Sequence, residues 1–400
     1  MRQIYLDNNA TTKVAPEVVE AILPFFNDYY GNPSSMHTFG GGVMRHVDQA
    51  RQEIAGLLGA SPGEIVFTGG GSESDNLAIR GTIEALAGRK RHLITTRVEH
   101  PAVREVFHHY QKNGYQLTEL TVDGSGALDL DELEQSITPD TALVSVMWAN
   151  NETGVIFPIE KVAQIVKAKG SVFHTDAVQA AGKIPIDVSR VPVDLLTVSG
   201  HKLHAPKGVG VLYVRKGTKL APLILGGHQE KGRRAGTENV PGVVGLGRAA
   251  ALASTWMSDE NTRVRHLRDK LERGIVASCK DVRVNGKDRL PNTLNVSFEF
   301  IEGEAILLML DDLGICASSG SACASGSLEP SHVMRAMGVP FTAAHGSIRF
   351  SLSRFNTEDE IDYVIQQLPG VTNRLRELSP FADAPAWQGT PLAHDHDHEH

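Results

Sequence analysis

The feature that most constrains this 400-residue chain is a rhythm in its first half: a short apolar run, a turn, a longer amphipathic stretch, then the next apolar run. "EIVFT" (64–68) precedes "SESDNLAIRGTIEAL" (72–86), "HLITT" (92–96) precedes "PAVREVFHHYQKNG", and "TALVSVMW" (141–148) precedes "PIEKVAQIVKAKG". "SVFHTDAV" (171–178), "DLLTVSG" (194–200) and "GVGVLYVR" (208–215) continue the series. Strands alternating with helices predict βαβ units around a mostly parallel sheet. The runs are apolar nearly throughout, as strands must be when helices cover both faces.

From about residue 240 the rhythm changes. A long helical stretch runs through "VVGLGRAAALASTW" and "NTRVRHLRDKLERGIVASC". Then come the strand "TLNVSFEF" (293–300), the helix "EGEAILLMLDDLG", a Gly/Ser loop, the strand "GSIRFSLS" (346–353) and the helix "TEDEIDYVIQQLPGVTNRLREL". This order predicts a smaller α+β domain, with the boundary inside the long helix. The tail "PFADAPAWQGTPLAHDHDHEH" reads as a solvated, disordered end; its His/acid pairs also suit weak metal binding.

A net charge of −8 argues against a nucleic-acid partner. Three cysteines, Cys279, Cys316 and Cys323, are too few for a disulfide framework and point to a reducing compartment. "MRQIYLDNNATTKVAPE" has no signal-like apolar run, and "AILLML" is too short to span a bilayer. The expectation is a cytoplasmic protein with no membrane partner.

Several stretches carry chemistry. "TGGGSESDN" (68–76) sets glycines between a strand and a helix, where free amides favour an anion such as phosphate at Gly71 and Ser72; the plain alternative is a helix capped by Ser72. "FHTDAVQ" (173–179) places Asp176 at the carboxyl end of a strand, where ligands of such sheets bind. "VSGHKLHAPKG" (198–208) sets Lys202 between His201 and His204 after another strand. A lysine for a Schiff base and an Asp for a pyridinium nitrogen are the signature of pyridoxal phosphate chemistry; two unrelated surface residues are the alternative. Arg349 lies mid-strand in "IRFSLS", where a buried cation needs an anion, either a substrate carboxylate or a structural acid. His100, taken alone, suits a helix start or a core. Cys323 lies in "ASSGSACASGS", among residues too small to wall it in, so its thiol is either incidental or meant to be reached. Cys316 and Cys279 read as small packed hydrophobes, with a resolving thiol as the alternative for Cys316.

The motifs "YLDNNATT", "GNPSSMH", "VEHPAV", "MWANNETG", "FHTDAVQAAGK", "SGHKLHAPKGVGVLY", "GGHQEKGRRAGTENV", "SSGSACASGSLEPSHVMRAMG" and "SIRFSLSRF" run the length of the chain. In these it resembles the cysteine desulfurases, specifically the NifS type associated with nitrogenase iron–sulfur assembly. The resemblance implies a homodimer with the fold of type I pyridoxal-phosphate enzymes: a large domain around a mostly parallel seven-stranded sheet and a smaller α+β domain. The expected division is 1–15 packing with the small domain, 16–255 as the large domain, 256–378 as the small one and 379–400 as the tail.

The resemblance also implies roles. Lys202 would hold pyridoxal phosphate, Asp176 would meet its ring nitrogen, Gln179 its phenolic oxygen, and His100 would stack on the ring. Asn151 would lie near cofactor and substrate. Gly71, Ser72, Ser199, Gly200 and His201 would hold the phosphate, with Thr237 reaching over from a second subunit. Arg349 would clamp the substrate carboxylate. L-cysteine would become L-alanine, with Lys202 as base and the sulfur passing to Cys323 as a persulfide. A scaffold of NifU type would accept that sulfur, and iron would contact Cys323 only transiently. A selenocysteine lyase or another enzyme of the same fold would share most of these features. A persulfide or iron–sulfur carrier would share Cys323 and leave Lys202 and Asp176 unused.

Overall fold

The apolar runs become strands buried along their length. The computed structural model describes residues 3–319 and 330–379. Among these the strands are β1 (Ile4–Tyr5), β2 (Ile65–Thr68), β3 (His92–Thr96), β4 (Gln116–Leu120), β5 (Thr141–Ser145), β6 (Val172–Asp176), β7 (Leu195–Ser199), β8 (Gly210–Val214), β9 (Val282–Asn285), β10 (Thr293–Phe298), β11 (Ile315–Cys316) and β12 (Ser347–Ser351). Seven form one sheet in the order β2-β8-β7-β6-β5-β3-β4. Only β8 runs against the others, pairing antiparallel with both β2 and β7. The expected mostly parallel sheet is therefore present. Its edge strand β4 has no counterpart in the apolar rhythm, because "QLTEL" is half-exposed and lacks the apolar signature of its neighbours.

The parallel register brings functional ends together. Asp176 pairs with Thr197 and ends β6, while Ser199 ends β7 beside it. The one-turn helix Gly200–Lys202 follows directly. On the far side of β8, β2 leads through Gly69 and Gly70 into the helix Gly71–Leu86.

That helix departs from one expectation. Gly70 occupies the N-cap, so Ser72 lies in the first turn and does not cap. Instead the Glu73 carboxylate accepts from the Gly69 amide at 2.8 Å. Crowding accounts for Gly71 and for Gly210 of β8, whereas Gly70 has open space and a φ of +153°. A Cβ on Gly71 would lie 3.2 Å from Val178 Cγ2 and 3.3 Å from Ser199 Cβ; one on Gly210 would lie 2.6 Å from the Gly70 carbonyl carbon.

The second half builds a separate layer. β9, β10 and β12 form an antiparallel sheet. It packs on helices Arg265–Ser278, Gly303–Asp312 and Glu358–Leu378 in an apolar core that includes Leu271, Phe298, Ile306, Phe350 and Leu368. Ile4 and Leu6 join this core, and β1 pairs parallel with β11. β11 is another strand with no counterpart in that rhythm, so Cys316 pairs in a sheet and accepts a hydrogen bond from Gln3 at 3.4 Å. Cys279 is buried in the same core, as expected. The long helix Val240–Asp259 runs through a π turn, Glu260–Val264, into Arg265–Ser278. Among the described residues no helix is long and apolar enough to cross a membrane.

Candidate active site

A cavity of about 480 Å³ opens where β5, β6 and β7 end. Gly71, Ser72, His100, Asn151, Asp176, Gln179, Ser199, His201, Lys202 and Arg349 all line it. Gly200 lies just behind, where a Cβ would come within 2.9 Å of Val209 Cγ1. Thr237 is exposed and does not line the cavity. Cys323 lies outside the described residues.

Lys202 is aimed by the turn after β7. Its Nζ donates to the Asn9 carbonyl at 2.5 Å and the Ala10 carbonyl at 2.6 Å. Burial, helped by the cations Arg349 and Lys183, pushes its amine down to about 7. A neutral amine has two N–H donors, and two carbonyls are what it meets. Such an amine is both nucleophile and base near neutral pH.

Asp176 accepts from the Val178 amide at 2.8 Å, and burial lifts its carboxyl to about 6. Asp75, buried in the first turns of helix Gly71–Leu86, is held well above the usual carboxylate range by burial and then by Asp176. Between sheet and helix lies His174, whose Nδ1 is 2.8 Å from Ser145 Oγ and whose Nε2 is 3.1 Å from Thr197 Oγ1 and 3.5 Å from Asp75. Burial pushes His174 down to about 3, so it is neutral. Among the described residues neither of these adjoining buried acids forms an ion pair with a lysine or arginine, although Lys202 draws Asp176 down; such a pair suits a protonated ring nitrogen, which would hold Asp176 ionised while Asp75 keeps its proton.

His100 is the N-cap of helix Pro101–Lys112, its Nδ1 accepting from the Ala102 amide at 3.1 Å. The helix-start reading thus holds, and the ring also faces the cavity. Burial takes His100 down to about 4, leaving a neutral ring suited to stacking. Glu99 beside it accepts from Thr96 Oγ1 at 2.9 Å and the Met147 amide at 2.8 Å, and burial lifts it to about 8.

Gln179 Nε2 donates to the Asn9 carbonyl at 3.0 Å. His201 Nδ1 lies 3.2 Å from Thr11 Oγ1, and burial followed by Lys202 lowers it to about 4. Gly71, Ser72 and Ser199 line the helix-start end of the cavity, where backbone amides point at an anion. A ring with a phosphate arm is within the size class of such a cavity. The hydroxyls, acids and amine that line this cavity are the kinds of group pyridoxal phosphate needs around it.

Arg349, 2% exposed, reaches Asp7 Oδ1 at 2.8 Å and donates to the Asn151 carbonyl at 2.9 Å. The structural acid expected as one alternative is therefore present. The same side chain also lines the cavity, which leaves the other alternative, a substrate carboxylate, open to it. Among the described residues no cluster of His, Cys, Asp and Glu could hold a metal ion.

Sequence reasoning missed Asn9, Ala10, Asp75, His174, Glu99 and Lys183. Asn9 stands 193 positions before Lys202, and nothing local connects them. His174 carried a usable signal: two residues before Asp176 on one strand, it shares that residue's face.

Residues 4–364 match the family described as aminotransferase class-V. The chain is 59% identical to a cysteine desulfurase of Trichormus azollae, over 98% of this chain and all of that protein. It is 55% identical to the cysteine desulfurase NifS of Azotobacter vinelandii, over 99% of this chain and 98% of that one. A solved structure named as a NifS-like protein superposes with a TM-score of 0.88 at 41% identity, covering 94% of this chain and 100% of that one. Another, SspA in complex with cysteine, gives 0.79 at 36% identity, covering 88% and 100%.

Proposed function

This chain belongs to the class-V aminotransferase family and, within it, to the pyridoxal-phosphate-dependent cysteine desulfurases, and from that premise we propose how its own residues divide the work. The reaction converts L-cysteine to L-alanine and leaves the sulfur on the enzyme. Bound pyridoxal phosphate supplies the electron sink that makes the substrate's Cβ–S bond labile.

Lys202 would anchor the cofactor, and its free amine would take the proton from the substrate's α-carbon. The depressed basicity of this amine supports both duties. Asp176 would hold the charge on the ring nitrogen, Gln179 would meet the phenolic oxygen, and His100 would stack on the ring; that all three line one cavity supports these roles. Ser72, Ser199, His201 and the backbone at Gly71 and Gly200 would bind the phosphate, with Thr237 contributed by a second subunit. Arg349 and Asn151 receive the substrate, and Arg349 exchanges Asp7 for the substrate carboxylate. The Cys323 thiolate attacks the substrate sulfur: an S–S bond forms, the Cβ–S bond breaks, and the carbon fragment takes a proton and leaves as alanine. The product on the enzyme is the Cys323 persulfide.

We infer a homodimer in the cytoplasm that hands this sulfur to a scaffold of NifU type for iron–sulfur clusters, in the setting of nitrogenase; transient iron at Cys323 would follow from that hand-over. The 55% identity to the Azotobacter vinelandii protein supports this setting. We divide the chain into a large domain 16–255, a small domain 256–378 with segment 1–15, and a tail 379–400; one apolar cluster, which joins Ile4 and Leu6 to residues between Val264 and Val371, supports the small domain, whereas Val333, Met334, Met337, Val339, Ala343 and Ala344 pack in the large domain's core, and residues 380–400 lie outside the described residues.

One observation carries the site assignment: the Lys202 amine, Asp176, Gln179 and His100 line a single cavity at the strand ends. Borohydride reduction of the purified protein followed by peptide mapping tests it. The expected result is one pyridoxyl label on Lys202. A label on another lysine, or none, would overturn the assignment.

A further inference from the structure

Lys183 has no part in the chemistry above, yet the fold buries it to 7% exposure. A buried ammonium needs partners, and Lys183 finds them in one residue. Its Nζ donates to the Gln179 carbonyl at 3.0 Å and to Gln179 Oε1 at 3.3 Å. An ammonium has only donors, so it selects the oxygen of the side-chain amide. That choice turns Nε2 the other way, to the Asn9 carbonyl that also receives Lys202. A buried amide otherwise has two orientations of nearly equal shape.

The surroundings keep Lys183 in place. Asn261 Nδ2, in the π turn Glu260–Val264, donates to the Lys183 carbonyl at 2.8 Å. Glu260, buried in the same turn, shares a small cavity with Lys183 and Lys202. Burial pushes Lys183 down to about 8, with Glu260 opposing and Arg349 reinforcing the shift. Burial lifts Glu260 to about 7, against the pull of Lys183. The other groups near Lys183 are Arg349 on β12 and, after β7, Lys202 with His201 and His204, both imidazoles lowered to about 4 by burial.

We propose that Lys183 is a positioning residue: by holding Oε1 of Gln179 it makes Nε2, which the Asn9 carbonyl receives here, the group that the Gln179 amide would offer to the cofactor's phenolic oxygen, and it places a positive charge behind that amide. This rests on the assignment of pyridoxal phosphate and of Gln179 made above. The cation favours the form of the bound chromophore that carries more negative charge. Removing it raises the pH at which the proton of the Lys202–cofactor linkage leaves.

The test is the pH titration of visible absorption of the purified holoprotein, for wild type, Lys183→Met and Lys183→Arg. Lys183→Met is expected to raise the midpoint by about one pH unit, the effect of losing one charge some two hydrogen bonds away at an effective dielectric of about 20. Lys183→Arg keeps charge and donors and is expected to stay near wild type. If Lys183→Met fails to fold, Lys183→Gln keeps a donor without the charge and is expected to show the same rise. An unshifted midpoint in the neutral variant, or an equal shift in Lys183→Arg, overturns the role of Lys183 alone. A colourless wild type overturns the cofactor assignment on which it rests.

Discussion

Replacing Lys202 by methionine in the cofactor-free protein should change how stability depends on pH. The unfolded chain holds the Lys202 proton up to its ordinary value of 10.5, whereas the folded chain holds it only to about 7. Between these values the unfolded state binds one more proton, so wild-type stability rises with pH across that window. Below about 7 the full penalty of burying the ammonium applies; above about 10.5 it is gone. One pKa unit corresponds to about 1.4 kcal/mol, so the ideal gain between pH 7 and 9 is about 2 kcal/mol. The amine is only part-buried, and screening brings the expected gain to about 1–2 kcal/mol. Lys202→Met lacks this term. It also leaves the Ala10 carbonyl without its donor, but that cost does not vary with pH. Urea unfolding of both cofactor-free proteins at pH 7, 8 and 9 measures the difference. Wild type should gain on the variant steadily with pH. A gap constant to within about 0.3 kcal/mol would refute the depressed amine, and with it the argument that Lys202 is poised as a base.

Gly210→Ala should destabilise by about 1–3 kcal/mol, because its Cβ would fall 2.6 Å from the Gly70 backbone and neither strand nor helix cap can yield cheaply. Thermal unfolding reads this, together with weaker retention of pyridoxal phosphate as the displaced Gly70 carries the helix start with it; an unchanged melting temperature would contradict it. Ser331 donates to the buried Glu152 carboxylate at 2.5 Å and caps the helix His332–Ala336 through the Val333 amide. Ser331→Ala should therefore cost about 2–3 kcal/mol in urea unfolding, the sum of an orphaned buried acceptor and a lost cap; a loss below about 0.5 kcal/mol would show that Glu152 finds another donor.

The sheet was legible because its strands are buried on both faces, which writes "GVLYV" as an uninterrupted apolar run and "HLITT" as a buried stretch rich in β-branched residues. Of the edge strands, β2 carries such a run, whereas β4, β9 and the two-residue pair β1 and β11 are part-exposed or too short and carry none. The site was legible where strand ends carry local motifs, as at Asp176 and Lys202. It was not legible where partners come from far along the chain. Asp7 meets Arg349 across 342 positions, and Asn9 meets Lys202 across 193.

Local order along the chain thus determined the class of fold, the strand ends that face a ligand, and the residue types that could do amine and acid chemistry there. Tertiary structure decided the state of those groups. Burial made Lys202 nearly neutral, brought Asp75 against Asp176, gave Arg349 an acid of its own, and turned the Gln179 amide by setting Lys183 behind it. Propensity and periodicity act between neighbours in sequence. Desolvation and Coulomb terms depend on distance in space, and those distances exist only once the chain has closed on itself.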